Sequence, residues 1–250
     1  VYGKTMAEIA GEEIAQTITP YFERAFSGEV VNYEMKMGDI TFTSVLTPIE
    51  VNGKIVEVAG SSVDITESKR SELLQRCLFR ISQAVSSSQD LDQLYKLVHE
   101  VISDLIPAKN FYIALYDPNS DSLHFPYHVD EFDTNPVEKR LGRGLTEYVL
   151  CSGQSLLASP EVFSDLEKSG AVESIGAPSL DWLGVPLKIS PESMMGVMVV
   201  QTYDEGVRYT EQDKEMLTII SNQVAMAIER KRTEEKLTYL STHDVLTGVY

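Results

Sequence analysis

Cysteine is nearly absent from the 250-residue chain, which carries only Cys77 and Cys151. Two cysteines make no disulfide framework and suit a reducing compartment, where both read as small apolar side chains rather than reactive thiols. Basic residues are scarce as well: 21 Lys and Arg face 38 Asp and Glu, a formal net charge of −17. Nucleic acid and anionic membrane need clustered Lys and Arg, so neither is expected as a partner. Long apolar runs are missing too. None approaches the about 18 residues of a membrane span, and the N-terminus has no basic region followed by an apolar one. A soluble, cytoplasmic chain is therefore expected. Histidine is limited to four positions and tryptophan to one, Trp182. What is present is ordinary for a globular protein: 43% hydrophobic and 24% charged residues, in a length that suits two domains or one large one.

Residues 1–28 are helix-prone, with Ile14, Ile18, Tyr21, Phe22 and Phe26 on an apolar side and Ser27-Gly28 closing the segment. Three strand-like runs follow, 30–37, 40–51 and 54–65. Gly38-Asp39 turns between the first two, and Asn52-Gly53, the strongest short hairpin signal, between the last two. Three antiparallel strands have two edges and are marginal alone. In the helix expected over 67–88, Leu74, Leu78, Ile81 and Val85 recur at 4-3-4 spacing. That is either a short coiled-coil seam or an amphipathic helix packed on its own domain. A second helix carries Leu91, Leu94, Val98, Val101 and Leu105 and stops at Pro107.

From Asn110 the period changes. Residues 111–116 form a strand, 118–121 a turn, and Leu123, Phe125, Tyr127 and Val129 alternate along the next strand. Gly142-Arg143-Gly144 leads into a short helix over 146–151, followed by a short strand at 155–158, a helix at 160–168 and an irregular loop at 170–178. Strands at 182–189 and 195–203 then pair. Thr210 with Asp213 opens a last helix as a capping box, and Leu217, Ile220, Val224 and Ala227 make its apolar stripe. With no Gly or Pro before Gly248, this helix runs about 30 residues, about 45 Å. That exceeds what one small domain covers, and it reads as an output lever. Residues 229–236, ERKRTEEK, are almost wholly polar, and the stripe resumes at Leu237 and Leu240. The charged segment is expected to be loosely held, a place where register changes. The fold class is α+β: an antiparallel sheet flanked by long N- and C-terminal helices, preceded by a separate three-stranded sheet.

Three stretches resemble known families. VYGKTMAEI, the helix ending FSGE, VLTPIEVNGKIVEVAGSSVDIT and TESKRSE are similar to the C-terminal half of a PAS sensor domain; Asp64-Ile65-Thr66-Glu67 matches the junction where that family hands over to an output helix. The resemblance implies an incomplete PAS sheet over 1–66, covered by another chain or poorly ordered, then a connecting signalling helix over 67–89. Residues 90–232 closely resemble a GAF domain through FYIALYD, LGRGLTEYVLCSGQSLL, WLGVPL, GVMVVQTY and RYTEQDKEMLTIISNQVAMAIERK. The likeness is greatest to GAF domains of bacterial sensors built around cyclic-dinucleotide signalling. Asp244-Val245-Leu246-Thr247-Gly248 resembles the entry of GGDEF diguanylate cyclase domains, so 233–250 reads as a linker and the start of such a domain, whose catalytic part is absent. The resemblances imply signal relay through Asp64, Thr66 and Asp244.

No catalytic constellation and no metal site is expected. His124 and His128, four residues apart and on one face of a strand, would lie about 13 Å from each other. Asp130, Glu131 and Asp133 read as a solvated loop or a weak cation site. The GAF resemblance instead implies a small-molecule pocket lined by Tyr127, Arg143, Glu147 and Trp182. Against it, a lone Trp and alternating aromatics also read as core, and Arg143 as an internal partner of Glu147 or Asp130. The motifs of cyclic-nucleotide, bilin and haem binders are not visible, so no cofactor is expected and the ligand stays unidentified. The reading is a regulatory region in which GAF and PAS parts sense a small molecule or partner. A parallel homodimer through 68–105 and 211–240 relays it to a cyclase. The rivals are an enzyme in its own right and a purely structural dimerisation module.

Overall fold

Among the residues described by the computed structural model (7–8, 11–38, 40–133 and 138–242), the strands fall into two antiparallel sheets, one in each of two units, Val1–Glu72 and Leu73–Tyr250. The N-terminal sheet has the order β1-β2-β3, from β1 (Val31–Met37), β2 (Ile40–Val51) and β3 (Lys54–Asp64). Asn52 and Gly53 take positive φ values of 51° and 75°, which closes the β2–β3 hairpin with Val51 opposite Lys54. Helix α1 (Glu12–Phe26) covers one face of this sheet: Ala25, Val31 and Leu46 are buried, and Tyr21 stacks on Tyr33 at 4.2 Å. Along β2 the period is two, with Ser44 and Leu46 buried and Val45 exposed on the other face.

The junction residues Asp64 and Thr66 meet directly. Asp64 Oδ1 accepts from Thr66 N at 2.9 Å and from Thr66 Oγ1 at 2.6 Å, while Thr66 Oγ1 accepts from Thr41 N at 2.8 Å. The hydrogen bonds from Thr66 hold the Asp64 carboxyl below the usual range. They fasten the start of α2 (Thr66–Ser87) to the first residues of β2.

The second unit is a six-stranded sheet of order β6-β5-β4-β9-β8-β7. Its strands are β4 (Asn110–Asp117), β5 (Ser122–Val129), β6 (Lys139–Arg140), β7 (Leu156–Ala158), β8 (Asp181–Ser190) and β9 (Ser193–Thr202). Its helices, besides the end of α2, are α3 (Leu91–Ser103), α4 (Leu145–Ser152), α5 (Pro160–Lys168) and α6 (Glu211–Thr242). The two-residue β6 is the one strand that sequence periodicity did not anticipate. Strand alternation gives this sheet two cores. Phe111, Ile113, Leu183, Val185, Met198 and Val200 face α2, α3 and α6, whereas Tyr112, Ala114, Trp182, Val197 and Val199 face the opposite side. Each large side chain so buried contributes about 1.5–3 kcal/mol.

One irregularity changes what β5 presents. Ile113 pairs with Tyr127 but Leu115 pairs with His124, so Ala114 of β4 stands opposite two residues of β5, Phe125 and Pro126. Pro126, which has no N–H for the ladder, lies in this bulge. The extra residue inverts the alternation, so Leu123 and Phe125 pack with Trp182 while Tyr127 packs with the helices. The even alternation expected from Leu123 to Val129 therefore does not hold.

Helix α6 starts at the expected capping box: Thr210 Oγ1 accepts from Asp213 N at 3.2 Å and Asp213 Oδ2 accepts from Thr210 N at 2.8 Å. Its stripe runs through Leu217, Ile220, Val224, Ala227 and Ile228 and does not end there. Lys231 falls on the same face and is only 7% exposed, with Nζ donating to the Ser88 carbonyl at 2.7 Å. One turn on, Glu235 Oε1 accepts from Leu91 N at 2.9 Å. The charged segment is thus docked on the α2–α3 turn rather than loosely held. The lysine stem fills an apolar position while its ammonium meets a carbonyl at the C-terminal end of α2. Residue Asp244 and the rest of the 244–248 motif lie outside the described residues.

Candidate functional site

The side of the sheet away from α2, α3 and α6 is roofed by the short helix α4 and by the segment 169–180, and the polar groups beneath that roof are individually placed. Tyr112, 8% exposed, stands on β4 with its hydroxyl 2.9 Å from Thr146 Oγ1 at the start of α4. Trp182 Nε1, on β8, donates to the same Tyr112 oxygen at 3.2 Å. Burial pushes the Tyr112 phenol up to about 12, with the hydrogen bonds to Thr146 and Trp182 opposing it. The phenol is therefore a neutral hydrogen-bonding group at physiological pH, not a base.

Glu147 follows Thr146 in the first turn of α4 and is 2% exposed. Its Oε1 accepts from Lys139 Nζ at 2.9 Å and from Gly142 N at 3.2 Å. Its Oε2 is buried without a hydrogen-bond partner, alone in this among the side-chain oxygens and nitrogens of the described residues. A buried carboxylate oxygen left unmet costs about 1–3 kcal/mol or more. Gly144 makes room for it: a Cβ there would lie 2.8 Å from Oε2 and 3.2 Å from Ile175 Cδ1. Gly144 has φ −81°, which any residue adopts, so the position is held open for space and not for backbone conformation.

The rim is built from the loops after β5 and before β8. Asp130 accepts from Phe132 N at 2.9 Å, Asp133 N at 2.8 Å, Gln201 Nε2 at 2.5 Å and Tyr203 Oη at 3.1 Å. Burial alone would raise its carboxyl, but these bonds outweigh burial and hold it low and ionised. Asp133 Oδ1 accepts from Ala177 N at 3.0 Å, which ties the two loops together. Glu131 pairs with Lys109 at 2.5 Å. The acidic trio is thus a hydrogen-bonded turn whose members face different partners. His128 stacks on Tyr112 with ring centroids 5.6 Å apart; burial lowers its imidazole, while Asp130 and Asp133 pull the other way.

Of the residues expected to line a pocket, Glu147 and Trp182 come together on this face, linked through Thr146 and Tyr112. Arg143 lies at the rim and pairs with neither Glu147 nor Asp130. Its guanidinium bonds the Gly170 carbonyl and reaches Glu173 at 3.4 Å, fastening the roof segment. Tyr127 is on the other side of the sheet. His99 Nε2 lies 2.6 Å from the Ala108 carbonyl and donates to it, so His99 Nδ1 accepts from the Tyr127 hydroxyl at 2.9 Å. The bulge at Pro126 is the reason, and His128 takes the face that Tyr127 was expected to hold. Sequence reasoning missed Tyr112, Lys139 and His128. Tyr112 lies within FYIALYD and reads there as ordinary strand core. A separate cavity of about 450 Å³ at the β4–β5 turn is lined by Leu115, Asp117, His124, Glu138 and Arg232, apart from Trp182.

A GAF domain family model matches residues 88–229, more than half of the chain. The chain is 23% identical over 158 residues to the nitrogen fixation protein AnfA of Azotobacter vinelandii, an alignment covering 61% of this chain and 29% of that protein. It thus spans under a third of that relative's length. Among solved structures, the GAF domain of a phosphoenolpyruvate-protein phosphotransferase from Coxiella burnetii superposes with a TM-score of 0.53 at 17% identity, over 66% of this chain and 98% of that one. Free methionine-R-sulfoxide reductase from Neisseria meningitidis, in complex with its substrate, gives 0.51 at 18% identity, over 66% and 93%. At such identities these neighbours share the fold. No helix among the described residues is long and apolar enough to cross a membrane. The roofed sheet, its flanking helices and the family match agree: the chain belongs to the GAF family of sensory and regulatory domains, with residues 88–229 forming its GAF domain.

Proposed function

We propose that the chain is the sensory and relay region of a bacterial cytoplasmic signalling protein, and that its GAF domain binds a small molecule under the roof formed by α4 and 169–180. One observation carries this reading: polar and aromatic groups are buried on the roofed face and one of them, Glu147 Oε2, has no protein donor. A layer evolved for packing alone would place apolar side chains there. Residues 1–66 act as the C-terminal part of a PAS domain, 67–89 as the connecting helix, 90–232 as the sensor, and 233–250 as the linker into a diguanylate cyclase that makes cyclic-di-GMP. The support for this finer reading is the resemblance of Asp64-Ile65-Thr66-Glu67 and of 244–248 to those families.

Two copies pair in parallel through 68–105 and 211–240, burying Phe79, Ile219, Met226 and Leu237, which are exposed in a single chain. The ligand biases how the paired α6 helices pack, and Asp64, Thr66 and Asp244 pass the bias along the chain. Light scattering at tens of micromolar is expected to give a dimer; a monomer there removes the relay. Trp182 is the single tryptophan, so its emission reports directly on the site. A metabolite library screened by Trp182 emission and melting temperature is expected to yield a binder. If none binds and the dimer persists, the chain is a dimerisation module. For the output, the full-length protein is expected to turn over GTP with magnesium at a rate the binder changes.

A further inference from the structure

We infer that the ligand is a small molecule that presents a cationic N–H donor, a primary ammonium or an amidinium group, to Glu147 Oε2 and lays an apolar body against Tyr112, Phe125 and Trp182. This rests on the reading that the roofed face holds a ligand at all. Oε2 is a buried acceptor that no protein donor reaches, in a side chain 2% exposed, and it is the position that a donor entering under the roof would meet. The approach lies over Gly144. No Cβ stands there, and the nearest covering atom, Ile175 Cδ1, belongs to a side chain that is itself exposed and able to move aside.

Three features select the class. A carboxylate or phosphate is disfavoured, because the roofed face carries Glu147 and its rim carries Asp130 and Asp133, the last two without an ion-pair partner among the described residues, and Arg143 is already engaged by Gly170 and Glu173. A bare metal ion is disfavoured, because Lys139 occupies the other oxygen of the same carboxylate and no group of three His, Cys, Asp or Glu among the described residues could complete its shell. An ammonium needs less. It takes one charge-assisted hydrogen bond from Oε2 and finds aromatic faces beside it, where Lys139 Nζ already lies 5.8 Å from the Phe125 ring centroid.

The test titrates the 250-residue chain with putrescine, agmatine, phenethylamine and tyramine, each beside its deaminated counterpart, reading Trp182 emission and melting temperature. At least one amine is expected to bind while its deaminated counterpart does not. Glu147→Gln is expected to weaken that amine at least tenfold. Lys139→Met supplies the second arm. It strips the carboxylate of its internal cation and is expected to lower the melting temperature of the free protein, and to enlarge the stabilisation given by the amine. Should Glu147→Gln fail to fold, the Lys139→Met result decides alone. Binding of deaminated compounds as tight as that of amines, or loss of amine binding in Lys139→Met, overturns the ligand class and leaves the ligand site standing. No binding by any compound overturns both.

Discussion

The two faces of the six-stranded sheet are made from the same strands by alternation, yet they are finished differently. On the helical face, neighbours of Phe111 and Leu183 such as Leu94, Ile102, Leu217 and Ile220 close a core whose buried positions are nearly all apolar. On the roofed face, Trp182 and Val197 share their layer with Tyr112, Thr146, Glu147 and His128, and every polar group except Glu147 Oε2 that is fully buried there has a partner. The helical face resembles an interior that maximises buried apolar area. The roofed face gives up stability for polar groups held in fixed positions, as binding sites do. The largest expected effect follows from this contrast. Phe111→Ala, which empties a fully buried ring stacked 4.6 Å from His99, is expected to cost about 3–5 kcal/mol by urea denaturation. Trp182→Phe is expected to cost well under half of that, since the ring plane is kept and one neutral hydrogen bond is lost. Equal costs would mean the two faces are equally committed to stability.

Much of this arrangement is legible in the residues. The Asn52-Gly53 turn, the Thr210–Asp213 box, the strand at 182–189 and the uninterrupted α6 follow from period and local chemistry, and their observed bounds differ by one or two residues. The site is legible only in part. Glu147 and Trp182 are found because a Gly-x-Gly turn before a helix and a lone Trp on a strand stand out. Tyr127 is misplaced because a period of two is counted straight through Pro126, and one extra residue turns every later side chain to the other face. A proline inside a strand pattern is the available warning. Lys139 escapes because a basic residue in a polar loop reads as solvent-facing; only the tertiary meeting with Glu147 buries its partner.

The same failure of charge as a guide to exposure governs the second prediction, which concerns the long helix. Lys231 lies among charged residues in sequence but at a seam position in space, where its ammonium meets the Ser88 carbonyl and its stem replaces a hydrophobe. Lys231→Ala is expected to cost about 1–3 kcal/mol, because a buried carbonyl loses its donor and the stem's contacts vanish. Arg230→Ala, in an exposed pair with Glu234, is expected to cost under about 0.5 kcal/mol. If the two substitutions were equal, the segment 229–236 would be the loosely held stretch that its composition suggests, and α6 would be free of the α2–α3 turn. With the difference as expected, movement at the α2–α3 turn and movement of α6 are coupled through Lys231 and Glu235.

The smallest effect returns to the roofed face and concerns pH. Burial lowers the His128 imidazole below its unfolded value, with Asp130 and Asp133 only partly opposing it. The unfolded chain therefore binds more protons than the folded one between the folded and unfolded values, and stability rises with pH in that window. The contribution is fully in place above the unfolded value near pH 6.5, declines as pH falls below it, and is lost once pH has passed the folded value. His128→Gln removes the titrating group while keeping a polar side chain against Tyr112. Urea midpoints measured at pH 7.5, 6.5 and 5.5 are expected to fall less steeply for the variant than for the wild type. On the helical face Tyr127→Phe, which takes a hydroxyl from His99, should leave the slope attributable to His128 unchanged. If His128→Gln left the acid slope untouched, the imidazole would not be buried against Tyr112, and the inversion of β5 at Pro126 would be wrong.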